Sequence, residues 1–202
     1  MKLEPKVLEN RFVRLEPLAE RHKEELRAAC AADPSLWRDL YILSMLDEHF
    51  DFHWARMQAE AAAGKTFPNA VVVDGVCRGM SNYLDVDQLN NTVEIGSTYY
   101  DPTMRGREVN PSAKRLLLAH AFESGAQRVQ FRVDALNARS RAAVLKLGAV
   151  QEGILRHDKV TWTGRIRDTV HFSVLAEEWP AVRDRLDARI DGFAAASHPG
   201  PG

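Results

Sequence analysis

The sequence predicts an α/β protein whose helices pack on one mixed sheet of about seven strands. Three observations predict this class. Two apolar segments, 70–73 and 76–84, flank Asp74-Gly75, which is the pattern of a hairpin with a two-residue turn. Residues 92–134 then contain a strand, a helix and a strand, a unit whose two strands lie parallel. Residues 150–175 predict a long closing hairpin.

The other elements are predicted from apolar periodicity and from the residues that end each segment. Pro17 ends the first strand, because proline cannot donate to a sheet ladder. Asp33-Pro34 is expected to stop the first helix, and the aromatic connection 37–41 that follows shows no period. The predicted strands are 12–15, 70–73, 76–84, 92–100, 129–134, 150–162 and 166–175, and the predicted helices are 18–32, 47–63, 111–123, 137–147 and 177–190.

Length and composition indicate a single domain. The chain has 202 residues, of which 45% are hydrophobic, enough for one sizeable core. We expect the domain to span 1–190 and residues 191–202 to form a flexible tail. The net charge of −1 gives no electrostatic reason to expect nucleic acid or a membrane surface as a partner. Cys30 and Cys77 lack metal-type spacing, and no secretory leader is recognisable, so we expect no metal and a cytoplasmic setting.

The junction between the fourth predicted strand and the next helix has the features of an anion site. Asn110 suits an N-cap and Pro111 the first helical position. The start of a helix presents unpaired N–H groups and partial positive charge. Arg105 and Arg107 precede it, and Gly106 allows the backbone to approach a ligand closely. The alternative is an ordinary loop with two solvated arginines.

The helix after this loop is predicted to be amphipathic. Lys114, Arg115 and Glu123 fall mostly off its apolar face, which consists of Ala113, Leu116, Leu117, His120 and Ala121. We therefore expect that face to pack on the sheet and the two basic side chains to point away from it.

Six segments, in order, carry a family resemblance. They are RFVRLEPL at 11–18, VEIG at 93–96, NPSAK at 110–114, NARS at 137–140 with LGA at 147–149, EGILR at 152–156 and EWP at 178–180. Together they resemble the GCN5-related N-acetyltransferases, and within them the branch of ribosomal-protein N-terminal acetyltransferases. The resemblance covers roughly residues 7–190.

The resemblance implies that acetyl-CoA is the co-substrate, bound where the fourth and fifth strands of the sheet splay apart. Backbone groups of Ser97, Thr98 and Tyr99 would pair with the pantetheine arm as an added strand. Asn137 could hydrogen-bond the same arm, although an N-cap role also explains it. The pyrophosphate would lie against the loop residues Met104, Arg105, Gly106, Arg107, Val109 and Asn110.

The loop departs from the family pattern at Glu108, which stands where the family has a glycine. A carboxylate beside a pyrophosphate is repulsive unless it turns to solvent or pairs with Arg105 or Arg107. The departure concerns the affinity for CoA and leaves the expected fold unchanged.

Two residues are candidates for proton transfer. Glu94, on the strand beside the expected cleft, could accept the ammonium proton of the acceptor, or it could be a salt-bridged strand carboxylate. The resemblance places Val144 where many relatives have a tyrosine that protonates the departing thiolate. Ser140 resembles the serine that one branch has instead, although it could equally be a first-turn helix hydroxyl.

The resemblance implies direct attack of a primary amine, from a protein N-terminus or a small molecule, on the thioester of acetyl-CoA. The aromatic residues Trp37, Tyr41 and Trp54 could line the acceptor pocket or belong to the core. Two alternative functions stay open. The protein could be a non-catalytic acyl-CoA-binding module, or it could transfer a larger acyl group. A homodimer is possible, since dimers are frequent in the family.

Overall fold

The computed structural model describes residues 1–196 and shows one mixed sheet of eight strands with helices on both faces. The strands are β1 (Leu8–Glu9), β2 (Arg14–Pro17), β3 (Asn69–Val73), β4 (Val76–Asp87), β5 (Thr92–Tyr100), β6 (Arg128–Asp134), β7 (Val150–Val160) and β8 (Ile166–Leu175). The helices are α1 (Lys23–Ala31), α2 (Pro34–Leu40), α3 (Asp47–Ala62), α4 (Val109–Glu123), α5 (Ala138–Leu147) and α6 (Trp179–Ala196).

The predicted class is confirmed, with one more strand than expected. The spatial order is β1-β2-β3-β4-β5-β6-β8-β7, and the added strand is the short β1 at one edge. Every neighbouring pair is antiparallel except β5 and β6, which are parallel. A parallel pair within an otherwise antiparallel sheet requires the crossover that α4 supplies between them.

The sheet separates two cores. One contains side chains of α4 and α6 packed on β5, β6 and β8, among them Leu117, Leu186 and Phe172. The other contains α1, α2 and α3 packed on β3, β4 and β5, with Phe50 and Tyr99. Alternate residues of a strand point to opposite faces, so β5 contributes side chains to both cores.

Local signals in the hairpins behaved as expected, whereas one proline signal was misread. Asp74 and Gly75 both have positive φ, 51° and 78°, as the predicted two-residue turn requires. The aromatic connection is in fact helix α2. Asp33 accepts a hydrogen bond from the N–H of Leu36 at 3.2 Å, and Pro34 occupies the first turn. The pair that was expected to stop one helix therefore also starts the next one.

Two expectations for α4 were wrong. The helix begins at Val109, with Glu108 rather than Asn110 at the N-cap position. Pro111 is then the third helical residue, which is tolerated because N–H groups in the first turn have no intrahelical acceptor. Lys114 is buried, not turned away from the sheet.

The predicted tail begins inside a helix. Helix α6 continues through Ala196, and Asp191 accepts a hydrogen bond from Arg11 at 2.9 Å. Residues 197–202, the rest of that tail, lie outside the described residues. Among residues 1–196, no helix is long and apolar enough to cross a membrane.

Candidate active site

Strands β5 and β6 part soon after they begin. Their parallel pairing runs only from Thr92 opposite Arg128 to Glu94 opposite Gln130. Beyond these residues β5 continues to Tyr100, while β6 stays paired with β8 along its whole length. The predicted splay between the two strands is confirmed, and within residues 1–196 it leaves the inner edge of β5 without a strand partner.

A backbone irregularity lies on β5 just past the point of parting. Ser97 has φ of 45°, and the register between β4 and β5 shifts there. Such a bulge bends a strand and increases its twist. The carbonyl oxygen of Thr98 accepts a hydrogen bond from the Tyr41 hydroxyl, and the Tyr99 side chain is buried in the core. Because the Tyr99 side chain is buried, any contact of Tyr99 with a pantetheine arm would be made by its backbone groups.

The loop before α4 is held by Arg105. Its Nε donates to the carbonyl oxygen of Tyr100 at 3.2 Å, and Nη1 donates to Asp33 at 2.5 Å. The guanidinium also lies 5.7 Å from the centroid of the Tyr99 ring. The Nη2 atom is buried and has no hydrogen-bond acceptor in the described part of the chain. Arg105 thus fixes the shape of the loop and retains one free donor.

The rest of the loop leaves amide groups available. Gly106 has φ of 75°, in the region that glycine adopts without strain. No hydrogen bond from the N–H of Val109 or Asn110 is found within the described part of the chain. Glu108 turns its carboxylate toward Arg107, 3.3 Å away. The arrangement agrees with a helix start that binds an anion. The Glu108 carboxylate, which would repel a phosphate, has the positive charge of Arg107 beside it.

Glu94 is buried beside the last paired residues, with 4% of its surface exposed. It forms an ion pair with Arg132 of β6, and the same guanidinium also binds Asp85 of β4. Burial raises the pKa of the Glu94 carboxyl, and Arg132 opposes that rise. A Cβ on Gly96 would lie 2.5 Å from Glu94 Oε1. Glycine at 96 therefore allows the carboxylate to lie against the strand.

Lys114 of α4, which sequence reasoning missed, is the second buried charge beside the gap. It is 5% exposed. Its Nζ donates to Thr98 Oγ1 at 2.6 Å and to Ser81 Oγ at 2.9 Å. The nitrogen also lies 5.9 Å from the centroid of the Phe131 ring on β6. A signal existed, because Lys114 precedes Leu117 by three residues, the spacing of one helix face.

The start of α5 lies after the end of β6. Asn137 is the N-cap, as predicted, and its side chain accepts from the N–H of Ser140 at 3.0 Å. Ser140 is half-buried in the first turn. Val144 is buried in the core, where an apolar side chain packs well. The proposed contact of Asn137 with CoA and the proton-donor role of Ser140 stay predictions.

The three aromatic candidates for the acceptor pocket differ in exposure. Trp37 and Trp54 are buried in the core, with their indole N–H groups donating to Cys30 and Glu20. Tyr41 is half-buried, with its ring 4.2 Å from that of Trp37. Of the three, Tyr41 alone combines partial exposure with a hydrogen bond to β5, which makes it the strongest candidate for contact with the acceptor.

The closing hairpin reaches back to the end of β6 and to α2. Arg165 donates to the Asp134 carboxylate and, at 2.9 Å, to the carbonyl oxygen of Asp39. Arg167 is buried and lies 3.8 Å from the same carboxylate. Both arginines are therefore structurally engaged rather than free in solvent. A cavity of about 390 Å³ opens beside this contact, lined by Arg38, Asp39, Leu40, Leu136, Thr163 and Arg165.

No metal site is visible among residues 1–196. Within this range, no three or more His, Cys, Asp and Glu side chains cluster in a way that could hold an ion. Cys30 and Cys77 are both buried as free thiols.

A parted pair of parallel strands beside the start of a helix is the arrangement expected of an N-acetyltransferase that uses acetyl-CoA. The comparisons with known proteins agree. Residues 13–150 match the family model described as an acetyltransferase (GNAT) domain. The chain belongs to this family, the GCN5-related N-acetyltransferases.

Several solved structures share the fold. A GCN5-related N-acetyltransferase from Brucella melitensis is 31% identical, with a TM-score of 0.85 over 94% of this chain and 87% of that one. An acetyltransferase structure from T. thermophilus is 35% identical, with a TM-score of 0.83 over 94% and 99%. Mycobacterium smegmatis RimJ, solved with CoA-disulfide, is 22% identical, with a TM-score of 0.81 over 94% and 96%. The search of curated proteins returned no match.

Proposed function

We propose that the protein transfers the acetyl group of acetyl-CoA to a primary amine by direct attack within the gap between β5 and β6. The observation that carries the proposal is that the strands part at Glu94, on the inner edge of β5. An extended pantetheine arm fits such an edge, because its amides can pair with backbone groups in the way an added strand does. The structure of RimJ with CoA-disulfide supports CoA binding by this fold.

The phosphate end of acetyl-CoA would lie at the start of α4. The N–H groups of Val109 and Asn110 point out of the first turn, and the free Nη2 of Arg105 adds a donor. Gly106 and Arg107 complete the loop on the solvent side. Met104 is buried below the loop and supports it by packing. This end of the site supplies affinity and orientation rather than chemistry.

The acceptor amine would approach from the face of the sheet that carries Glu94. Glu94 is the proposed base, since burial raises the pKa of its carboxyl toward the range useful for accepting a proton. Tyr41 would contact the acceptor, and Leu40, its neighbour in sequence, lines the cavity together with Leu136 and Arg165. Ser140 is the proposed hydroxyl near the sulfur. A protein N-terminus or a small-molecule amine would both fit this description.

A homodimer through β7 is a further part of the proposal. Among residues 1–196 this edge strand pairs only with β8, and its residues are exposed almost throughout. Ile154, Leu155 and Val160 are apolar, and their exposed fractions are 49%, 50% and 64%. An unpaired apolar edge can add a second copy antiparallel about a twofold axis. The test of this homodimer is the molecular mass from light scattering, compared between the unaltered protein and Leu155→Lys.

The test of the function is release of the CoA thiol across a panel of amines, with acetyl-, propionyl- and succinyl-CoA compared. We expect release with acetyl-CoA and at least one primary amine, and a large loss in Glu94→Gln. A preference for succinyl-CoA would identify a transferase of larger acyl groups. Tight binding of acetyl-CoA without thiol release for any amine, and with no effect of Glu94→Gln, would identify a non-catalytic CoA-binding module instead.

A further inference from the structure

We propose that Lys114 is the acid of the reaction, whose ammonium stabilises and protonates the thiolate that leaves when the thioester breaks. This inference rests on the proposed use of the gap between β5 and β6. It differs from the expectation that the Ser140 hydroxyl does this work alone.

Lys114 lies at the point where the two strands separate. Its Nζ contacts Thr98 on β5 at 2.6 Å and faces Phe131 on β6 at 5.9 Å. Phe131 is the residue directly after Gln130, the last residue of β6 that pairs with β5. Thr98 comes four residues after Glu94, the last residue of β5 that pairs with β6, so the nitrogen lies against the parted section of the two strands, on the face covered by α4. A thioester threaded into the gap would bring its sulfur to this place.

The charge of Lys114 has no carboxylate partner among residues 1–196. A buried ammonium is normally paired with a carboxylate, because burial of an isolated charge is costly. Lys114 instead has two hydroxyl acceptors and an aromatic ring. A methionine would fill the same space at less cost. A cation that lacks its counter-ion in the resting protein is suited to an anion that arises during the reaction.

The titration behaviour of Lys114 agrees with this role. Burial lowers the pKa of the Lys114 ammonium to about 7. The carboxylate of Glu94, on β5, acts in the opposite direction and favours the charged form. The other polar groups around it are the hydroxyls of Ser81 and Thr98, with Tyr100 facing Ser81. Such an amine can give up and regain a proton near neutral pH.

Atoms and charges balance when Lys114 supplies the proton. The acceptor nitrogen forms a bond to the acetyl carbon, the bond from carbon to sulfur breaks, and its electron pair goes to sulfur. The Nζ proton of Lys114 passes to that sulfur, which gives the CoA thiol and a neutral lysine amine. The lysine is then protonated again by solvent, which carries the proton that the acceptor nitrogen releases.

The decisive experiment titrates the thiol of CoA bound to the protein, so it needs no acceptor amine. Ultraviolet absorbance of the thiolate is followed against pH, and the spectrum of the complex with an S-alkyl-CoA is subtracted to remove adenine and tyrosine signals. In the unaltered protein, at pH values up to about 7, where the Lys114 ammonium persists, we expect the thiolate fraction of bound CoA to be at least about tenfold above that of free CoA, equivalent to one pKa unit.

Two variants remove the charge. Lys114→Met keeps the volume, and Lys114→Gln keeps a donor for Ser81 and Thr98. In both variants the thiolate fraction of bound CoA should fall to that of free CoA or below it, while CoA still binds. Lys146→Met, which removes an exposed lysine of α5, is the matched control and should titrate as the unaltered protein does.

The outcomes separate the two proposals. Failure of the unaltered protein to bind CoA would overturn the proposed function. Binding of CoA with an unshifted thiol in the unaltered protein would overturn the role of Lys114 alone, even if neither variant folds. A shift that survives both lysine variants but disappears in Ser140→Ala would assign the stabilisation to the serine.

Discussion

The two buried charged groups beside the gap between β5 and β6 have different kinds of partner. Glu94 is compensated by Arg132, which is itself shared with Asp85. Lys114, on the other face of the sheet, donates its hydrogen bonds to hydroxyl groups. Ion pairing holds a group in one charge state, whereas hydroxyls accept a hydrogen bond from the charged amine and can donate one to the neutral amine. The comparison indicates that Lys114 is the group more easily changed in protonation, and that Glu94 depends on how firmly Arg132 holds it.

Replacing the carboxylate of Glu94 should have the largest effect. Glu94→Gln keeps the shape and removes the base, so we expect acetyl transfer to fall by roughly 10²- to 10⁴-fold, the range typical of a lost general base. The measurement is the rate of CoA thiol release with an amine from the panel.

Asp85→Asn is the matched control for this loss. It removes the other carboxylate that Arg132 binds. We expect the fold-decrease in the rate of acetyl transfer to be less than a tenth of that in Glu94→Gln. An equal loss in the two variants would mean that Glu94 acts through the Arg132 network and not as the base.

The position of Glu94 can be disturbed without touching its charge. A methyl group at residue 96 would meet Glu94 Oε1 at 2.5 Å and Leu84 Cδ1 at 2.8 Å. Gly96→Ala should therefore lower the free energy of unfolding by about 1–3 kcal/mol, as overpacking does, and slow acetyl transfer as well. Urea denaturation measures the first effect. Gly153→Ala on β7, where a Cβ would meet nothing within 4 Å, should leave stability nearly unchanged.

The lysine side of the comparison predicts a pH dependence of stability. The pKa of Lys114 is about 7 in the folded protein, below the ordinary value for lysine. At pH values between these two pKa values, the lysine is protonated in the unfolded chain but not in the folded one. The free energy of unfolding should therefore rise with pH from about 7 upward. The Lys114 contribution to that slope is at most about 1.4 kcal/mol per pH unit.

Other groups titrate in the same window, so the quantity to measure is the difference between the unaltered protein and Lys114→Met in urea denaturation at several pH values. The slope should be smaller in Lys114→Met and unaltered in Lys146→Met. Identical slopes in the unaltered protein and in Lys114→Met would show that the fold does not lower the pKa of Lys114.

The smallest expected effect concerns the loop. Glu108 lies at the start of α4, where an acidic side chain stabilises a helix but repels a phosphate. Glu108→Gln should lower the free energy of unfolding by about 0.3–1 kcal/mol and tighten CoA binding by about two- to fivefold. Calorimetric titration with CoA measures the second effect. Glu123→Gln, at the other end of α4, should leave CoA affinity unchanged, and weaker binding in Glu108→Gln would refute the repulsion.

Most of the architecture was readable from local patterns, because the hairpin at Asp74-Gly75 and the unit from β5 to β6 have strong turn and period signals. The splay was also expected, from the family resemblance. Helix α2 was missed because Asp33-Pro34 fits both the end of one helix and the start of another. The start of α4 was placed two residues late because Asn110-Pro111 is a better sequence signal than the Glu108 that serves as the N-cap.

Side-chain chemistry was harder to predict than the fold. Lys114 was placed mostly off the apolar face of α4, although its spacing of three residues from Leu117 also fits the inner face. The hydroxyls that accept its hydrogen bonds, of Thr98 on β5 and Ser81 on β4, meet the ammonium only in the folded protein, and such a meeting is a tertiary property. In the same way, the pairing of Glu94 with Arg132 depends on the register of two strands that are far apart in sequence.

The central claim is that the gap between β5 and β6 receives the thioester arm, and a crystal structure with CoA tests it most directly. We expect the pyrophosphate at the N–H groups of Val109 and Asn110, the arm along the inner edge of β5, and the sulfur next to Lys114 Nζ. A CoA molecule bound elsewhere, with β5 and β6 still separated and the gap empty, would contradict the account.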